Sequence, residues 1–203
     1  MATFPFPTIN SLEFVAYSGA RIITFDGATI FVTGQPSRDA IARFGASGIR
    51  TVINVRQPGE TTSTPPPYPA PPVFDAEERK LVESQGIVYY NDPKLEIWRT
   101  MTQPEFDRNA SYGAIALWSG ISRGGATLIH CSTGDRASSV FAVLLITAKR
   151  LSNSDAVSYC ENTLLLAAPP IVTLVQGYQT ASALTDELNE AMAKAQKASA
   201  AAV

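Results

Sequence analysis

Leu128-Ile129-His130-Cys131-Ser132-Thr133-Gly134-Asp135-Arg136-Ala137-Ser138 decides the fold of this chain. An apolar run ends on a histidine and a cysteine, a short turn follows, and an arginine leads into Ala137 to Lys149, apolar nearly all round. The pattern predicts a buried strand, a loop and a buried helix in succession. In that arrangement the backbone N–H groups of Ser132 to Arg136 converge on one point, the helix adds its positive end, and Arg136 offers a two-pronged donor. Gly134 lets the loop turn without a Cβ. The same field favours the thiolate form of Cys131, so the segment is an anion cradle with a nucleophile at its base.

The flanking sequence supplies the rest of a sheet. Arg21–Phe25 and Ala28–Thr33 are β-rich runs around Asp26-Gly27 and predict a hairpin. Gly34-Gln35-Pro36 ends the second run, Ser37 is placed to cap, and Arg38–Phe44 has helical spacing before Gly45 and Gly48. Thr51–Val55, Ile87–Tyr90 and Ala126–Ile129 are further strands. Asp75 with Glu78 reads as a capping box opening a helix to Gln85, and Thr102 with Glu105 repeats it for a helix to Trp118. Helices over 154–167 and 171–196 follow. Strands alternating with helices predict an α/β fold: a mostly parallel central sheet of four to five strands flanked by helices, with a helical C-terminal third. Sites in such sheets form at the carboxyl ends of strands. Those ends are Thr33-Gly34-Gln35-Pro36, Asn54-Val55-Arg56 and Ile129-His130-Cys131.

Of the 203 residues, 45% are hydrophobic and 17% charged, enough apolar material for a packed core and against disorder. We expect a single α/β domain over residues 21–196, after an N-terminal extension (1–20) and before a frayed tail (197–203). Residues 61–74 hold six of the fourteen prolines and are expected to form an extended surface loop, a tolerated insertion, with a binding segment for a polyproline-reading partner as the alternative. A net charge of −2 gives no basic field, which argues against nucleic acid or a membrane surface as partner. No run is long and apolar enough to span a bilayer, and the first residues lack a basic and apolar leader pattern, so a cytoplasmic location is expected. The two cysteines make no disulfide framework; Cys160, near Leu164 and Leu165, reads as a core thiol. With His130 the only histidine, no metal or other cofactor is expected.

His130-Cys131-x-x-Gly134-x-Arg136 resembles the signature loop of cysteine-dependent protein-tyrosine and dual-specificity phosphatases. Those enzymes place five residues between cysteine and arginine, and here there are four: Ser132, Thr133, Gly134 and Asp135. The shorter spacing is also similar to the persulfide loop of rhodanese sulfurtransferases and to a phosphatase-like family found fused to β-lactamase-like hydrolases. Phe31-Val-Thr-Gly-Gln-Pro36, Gly48-Ile-Arg-Thr-Val-Ile-Asn-Val-Arg56 and Glu60 resemble the opening of that last family, and the similarity covers roughly residues 29–150.

The resemblance implies a phosphomonoester substrate, a phosphoprotein or a phosphorylated small molecule, with Cys131 as nucleophile and Arg136 and the loop amides as oxyanion ligands. A general acid is expected after the strand ending near Tyr90, where Asp92 is preferred here and Glu96 stands at the position of the dual-specificity pattern counted from Pro93. His130 is assigned to orienting the loop, Arg56 and Glu60 to an ion pair between strand-end loops, and Gln35 with Pro36 to the turn into the first helix. Tyr89, Tyr90 and Trp98 are candidates for packing or an aromatic pocket. Ala137 stands where the phosphatases carry a hydroxyl, so Ser132, Thr133 or Ser138 is the candidate to bond the thiolate. Asp135 repels an anion unless it turns outward or pairs with a cation. Sulfur transfer through a Cys131 persulfide, or a loop recruited to another anionic small molecule, are the alternatives.

Overall fold

A computed structural model of the protein describes residues 20–57, 75–148 and 151–180, with isolated helical positions at 186, 189, 190 and 193. The proline-rich loop, most of the N-terminal extension, Glu60 and the tail lie outside the described residues.

Among the described residues five strands, β1 (Ala20–Phe25), β2 (Ala28–Thr33), β3 (Ile49–Asn54), β4 (Val88–Tyr90) and β5 (Ala126–His130), form one sheet in the order β1-β2-β5-β3-β4. β1 and β2 are antiparallel, joined at Asp26-Gly27 with both φ positive, and the remaining pairings are parallel. This is the expected mostly parallel sheet. The helices are α1 (Arg38–Ile41), α2 (Asp75–Glu83), α3 (Gln103–Ser122), α4 (Asp135–Thr147), α5 (Asn153–Thr163) and α6 (Pro169–Gln176), with a 3-10 turn at Pro93–Leu95.

Strand alternation sorts the sheet into two faces. Ile30, Val32, Ile53, Val55, Ile129 and Cys131 face a core completed by α3 to α6. Phe31, Ile49, Val52 and Leu128 face a smaller one with Ala40, Ile41, Phe44 and Val82 from the α1 and α2 side. Register aligns Thr33, His130 and Asn54 in one row across β2, β5 and β3, so three strand ends meet at one edge of the sheet. α4 is buried along almost its whole length, as its apolar sequence requires.

Three local expectations change. α1 is a single turn, because Phe44 and Ile41 must both dip into the small core and the chain leaves the helix in tight turns to do so. α5 stops at Thr163, and 164–168 run as coil whose N–H groups are used elsewhere. The helix expected over 171–196 is broken: α6 ends at Gln176, Gly177 turns the chain and Tyr178 drops into the core.

Candidate active site

β5 delivers His130 and Cys131 to the sheet edge on opposite faces, and α4 begins two residues after Thr133. The loop between them is short, and every side chain in it has a defined partner. Gly134 takes φ +98°, and a Cβ there would lie 2.4 Å from Leu165 Cδ1, so the turn and the close approach both require glycine. Its N–H donates to Cys131 Sγ at 3.0 Å, and Cys131 is fully buried at the floor of the loop. Arg136 turns back over the loop. Its Nη1 donates to the Ile97 carbonyl at 2.8 Å and its Nη2 to Ser132 Oγ at 2.5 Å, so the guanidinium is fixed from outside the loop as well as within it. The Ser132 carbonyl accepts the Gln35 N–H at 3.0 Å, which ties the loop to the end of β2.

Asp135 is turned away from the cradle. Its Oδ1 accepts the Ala167 and Ala168 N–H groups at 2.9 and 2.8 Å, and its Oδ2 accepts the Thr133 hydroxyl at 2.7 Å and Arg99 at 3.3 Å. The carboxylate therefore docks the coil after α5 onto the loop, which removes the repulsion that its position in the sequence suggests. Ser138 donates to the Gly134 carbonyl and accepts the Leu165 N–H, and the Thr133 hydroxyl proton goes to Asp135. These two are thereby corrected as candidates to bond the thiolate.

Beneath the loop, on the α2 face, lies a buried polar cluster centred on Glu78. Glu78 Oε1 accepts from His130 Nε2 at 2.7 Å and from the Tyr89 hydroxyl at 3.0 Å. Its Oε2 accepts from Gln35 Nε2 at 2.9 Å and lies 3.5 Å from Arg56 Nη2. Asn54 Nδ2 donates to the Tyr89 hydroxyl, and Asn54 Oδ1 accepts the Arg56 N–H. Burial pushes the Glu78 carboxyl up, but His130, by charge and by hydrogen bond, with Arg56 and Gln35, outweighs burial and holds it below the ordinary range.

This cluster corrects several expectations. Glu78 is not a capping-box residue; its side chain faces inward. Arg56 is 1% exposed and forms its ion pair with Glu78 of α2, beneath the loop, while its expected partner Glu60 lies outside the described residues. Tyr89 belongs to the cluster, while Tyr90 bonds Ser119 and Trp98 packs on the large core, so the three make no common pocket. Glu78 and Arg99 carried no usable signal. A glutamate three residues after Asp75 matches a cap, and an arginine in a coil matches nothing.

The acid candidates differ in setting. Asp92 is exposed and caps the 3-10 turn, its Oδ1 accepting the Lys94 N–H at 2.8 Å. Glu96 is half-buried, and its neighbour Ile97 supplies both the carbonyl that holds Arg136 and an N–H donated to Val55. Asn109 Nδ2 holds the Glu96 carbonyl at 2.6 Å. Among the described residues no cluster of metal-ligating side chains is present.

No family model matches the chain. Over 124 residues, 61% of its length, it is 29% identical to the β-lactamase hydrolase-like protein of Xylella fastidiosa, and the match spans a quarter (25%) of that protein. Among solved structures, the core catalytic domain of the PP-IP phosphatase SIW14 from S. cerevisiae superposes with a TM-score of 0.51 at 14% identity, covering 81% of this chain and 86% of the other. PTPMT1 gives 0.51 at 16%, covering 85% and 99%. A DUF442 protein from Shewanella putrefaciens gives 0.50 at 15%, covering 87% and 96%. Sheet order, the strand–loop–helix at Cys131 and these superpositions agree: the chain has the protein-tyrosine-phosphatase-like α/β fold, and its sequence resembles the β-lactamase hydrolase-like proteins.

Proposed function

We propose that the protein is a cysteine-dependent phosphatase acting on a phosphomonoester. The observation that carries this reading is the loop itself: Cys131 Sγ sits at the start of α4 with the Gly134 N–H 3.0 Å away and Arg136 clamped over the same loop by the Ile97 carbonyl. In this mechanism the thiolate attacks phosphorus, an S–P bond forms and the ester P–O bond breaks. Arg136 and the loop N–H groups bind the phosphoryl oxygens, where charge is spread in the transition state. Glu96 is the acid we favour over Asp92, because Asp92 is engaged as a cap while Glu96 adjoins the residue that anchors Arg136. Glu96 gives its proton to the leaving oxygen, and then takes one from the water that cleaves the cysteinyl phosphate. Phosphate leaves and the thiolate returns.

Release of phosphate from an aryl phosphate, measured on the wild-type protein and on Cys131→Ser and Arg136→Ala, tests this. Turnover should vanish in the first variant, fall at least 100-fold in the second, on the order seen when an oxyanion ligand is removed, and be blocked by vanadate. Glu96→Gln should slow alkyl phosphates, with their poor leaving groups, more than Asp92→Asn does. No release from wild-type protein, together with a persulfide mass on Cys131 after thiosulfate treatment, would replace this reading with sulfur transfer.

A further inference from the structure

Asp135 is an odd residue for an anion loop, and what it does there concerns more than folding. Its Oδ2 holds Arg99 Nη2 at 3.3 Å, and the same nitrogen lies 3.5 Å from Thr133 Oγ1, on the exposed crest of the loop. Arg99 itself is half exposed, with a side chain 52% accessible. It is joined to the loop by Nη2 alone. Nε and Nη1 have no acceptor among the described residues, so one edge of a planar, permanently charged donor is left without a partner at the crest of the loop.

The charge of Asp135 is meanwhile spread over two backbone N–H groups and the Thr133 hydroxyl as well, so Arg99 is not its sole partner and stands as a further cation at the crest of the loop that carries Arg136. A solvated surface arginine does not need a buried carboxylate to hold it. Here the carboxylate fixes its position relative to the loop, and pre-organised donors of this kind act through geometry that is set before the ligand arrives.

Building on the phosphatase reading, the geometry points to Arg99 as a substrate-specificity residue: the site takes small molecules with a second phosphoryl group beside the one bound by the loop, and Arg99 binds that second group. Arg136 and the loop amides hold the reacting group, and the free edge of Arg99 makes a bidentate contact with its neighbour. An isolated phosphoryl group leaves that edge unused.

The test is calorimetric titration of the wild-type chain with methylphosphonate and with alkylene bisphosphonates from methylene to butylene, none of which is hydrolysed. At least one bisphosphonate should bind 10-fold or more tighter than methylphosphonate. That ratio should collapse towards one in Arg99→Gln and fall to an intermediate value in Arg99→Lys, which keeps the charge and loses the two-pronged fork. A merely structural role for Arg99 would weaken both ligand types together and leave the ratio unchanged, which would overturn the inference, as would a wild-type protein without preference. Aryl phosphate turnover, measured in parallel, is a separate readout. Turnover without a bisphosphonate preference sinks this inference and spares the phosphatase; a preference lost in Arg99→Gln without turnover does the reverse.

Discussion

Glu78 shows how much of the site depends on a side chain that never meets the ligand. Two carboxylate oxygens receive His130, Tyr89 and Gln35 and face Arg56, all in a buried layer directly under the loop. Removing one member of such a buried pair leaves the others uncompensated, at about 3–5 kcal/mol. Because the Glu78 carboxyl is held below its ordinary value near 4.5, its contribution is complete above that value and is lost as pH falls through the lower, folded value. Denaturant unfolding across acidic pH should therefore show a steep loss of stability below about 4.5 that flattens in Glu78→Gln, with the variant less stable than wild type at neutral pH. A variant that keeps the steep acid limb would show that another carboxylate produces it. The second cysteine makes the opposite case: burial alone pushes the Cys160 thiol to about 12, so it should resist iodoacetamide at neutral pH until denaturant opens the core. Peptide mass mapping reads this directly.

Between elements, the loop is held less by its own sequence than by the coil after α5. Leu165 packs where a Gly134 side chain would go, its N–H reaches Ser138 Oγ, and Asp135 collects the N–H groups of Ala167 and Ala168. Asp135→Ala should cost about 1–3 kcal/mol through the two N–H groups left without an acceptor, and it frees Arg99. Gly134→Ala should cost more, since the left-handed φ and the contact with Leu165 both resist a methyl group, and it should displace the Gly134 N–H from Cys131. Thermal unfolding of the two variants against wild type orders them. These ties explain what was and was not legible in the sequence. The strands, the loop and α4 could be read because β-branched runs and an apolar helix state their burial locally. Glu78 could not, because a buried acceptor and a helix cap have the same local pattern. Arg99 could not, because its partner lies 36 residues away. The break in the helix expected over 171–196 is not legible because alanine-rich sequence favours helix everywhere, while the docking of Tyr178 against Ser111 and Thr147 demands a break after Gln176.

At the scale of the molecule, the loop joins parts of the chain that are distant in sequence: Gln35 after β2, Ile97 after the 3-10 turn and the Leu165–Ala168 coil all bond to residues between Ser132 and Ser138. An oxyanion that tightens this loop should stabilise all of them together, and binding to the folded state alone raises stability by about 2.7 kcal/mol at a hundredfold excess over Kd. For a chain of this length that is roughly 5–11 °C in Tm. Tungstate, added at constant ionic strength and followed by calorimetry, should shift a single transition by that order in wild type and not in Arg136→Ala. Sodium chloride should not reproduce the effect, because the sheet edge and not the net charge of −2 makes the site. Two transitions with only one moved by tungstate would mean that α5 and α6 unfold apart from the sheet, and that the contacts of Asp135 and Ser138 do not couple them to the loop.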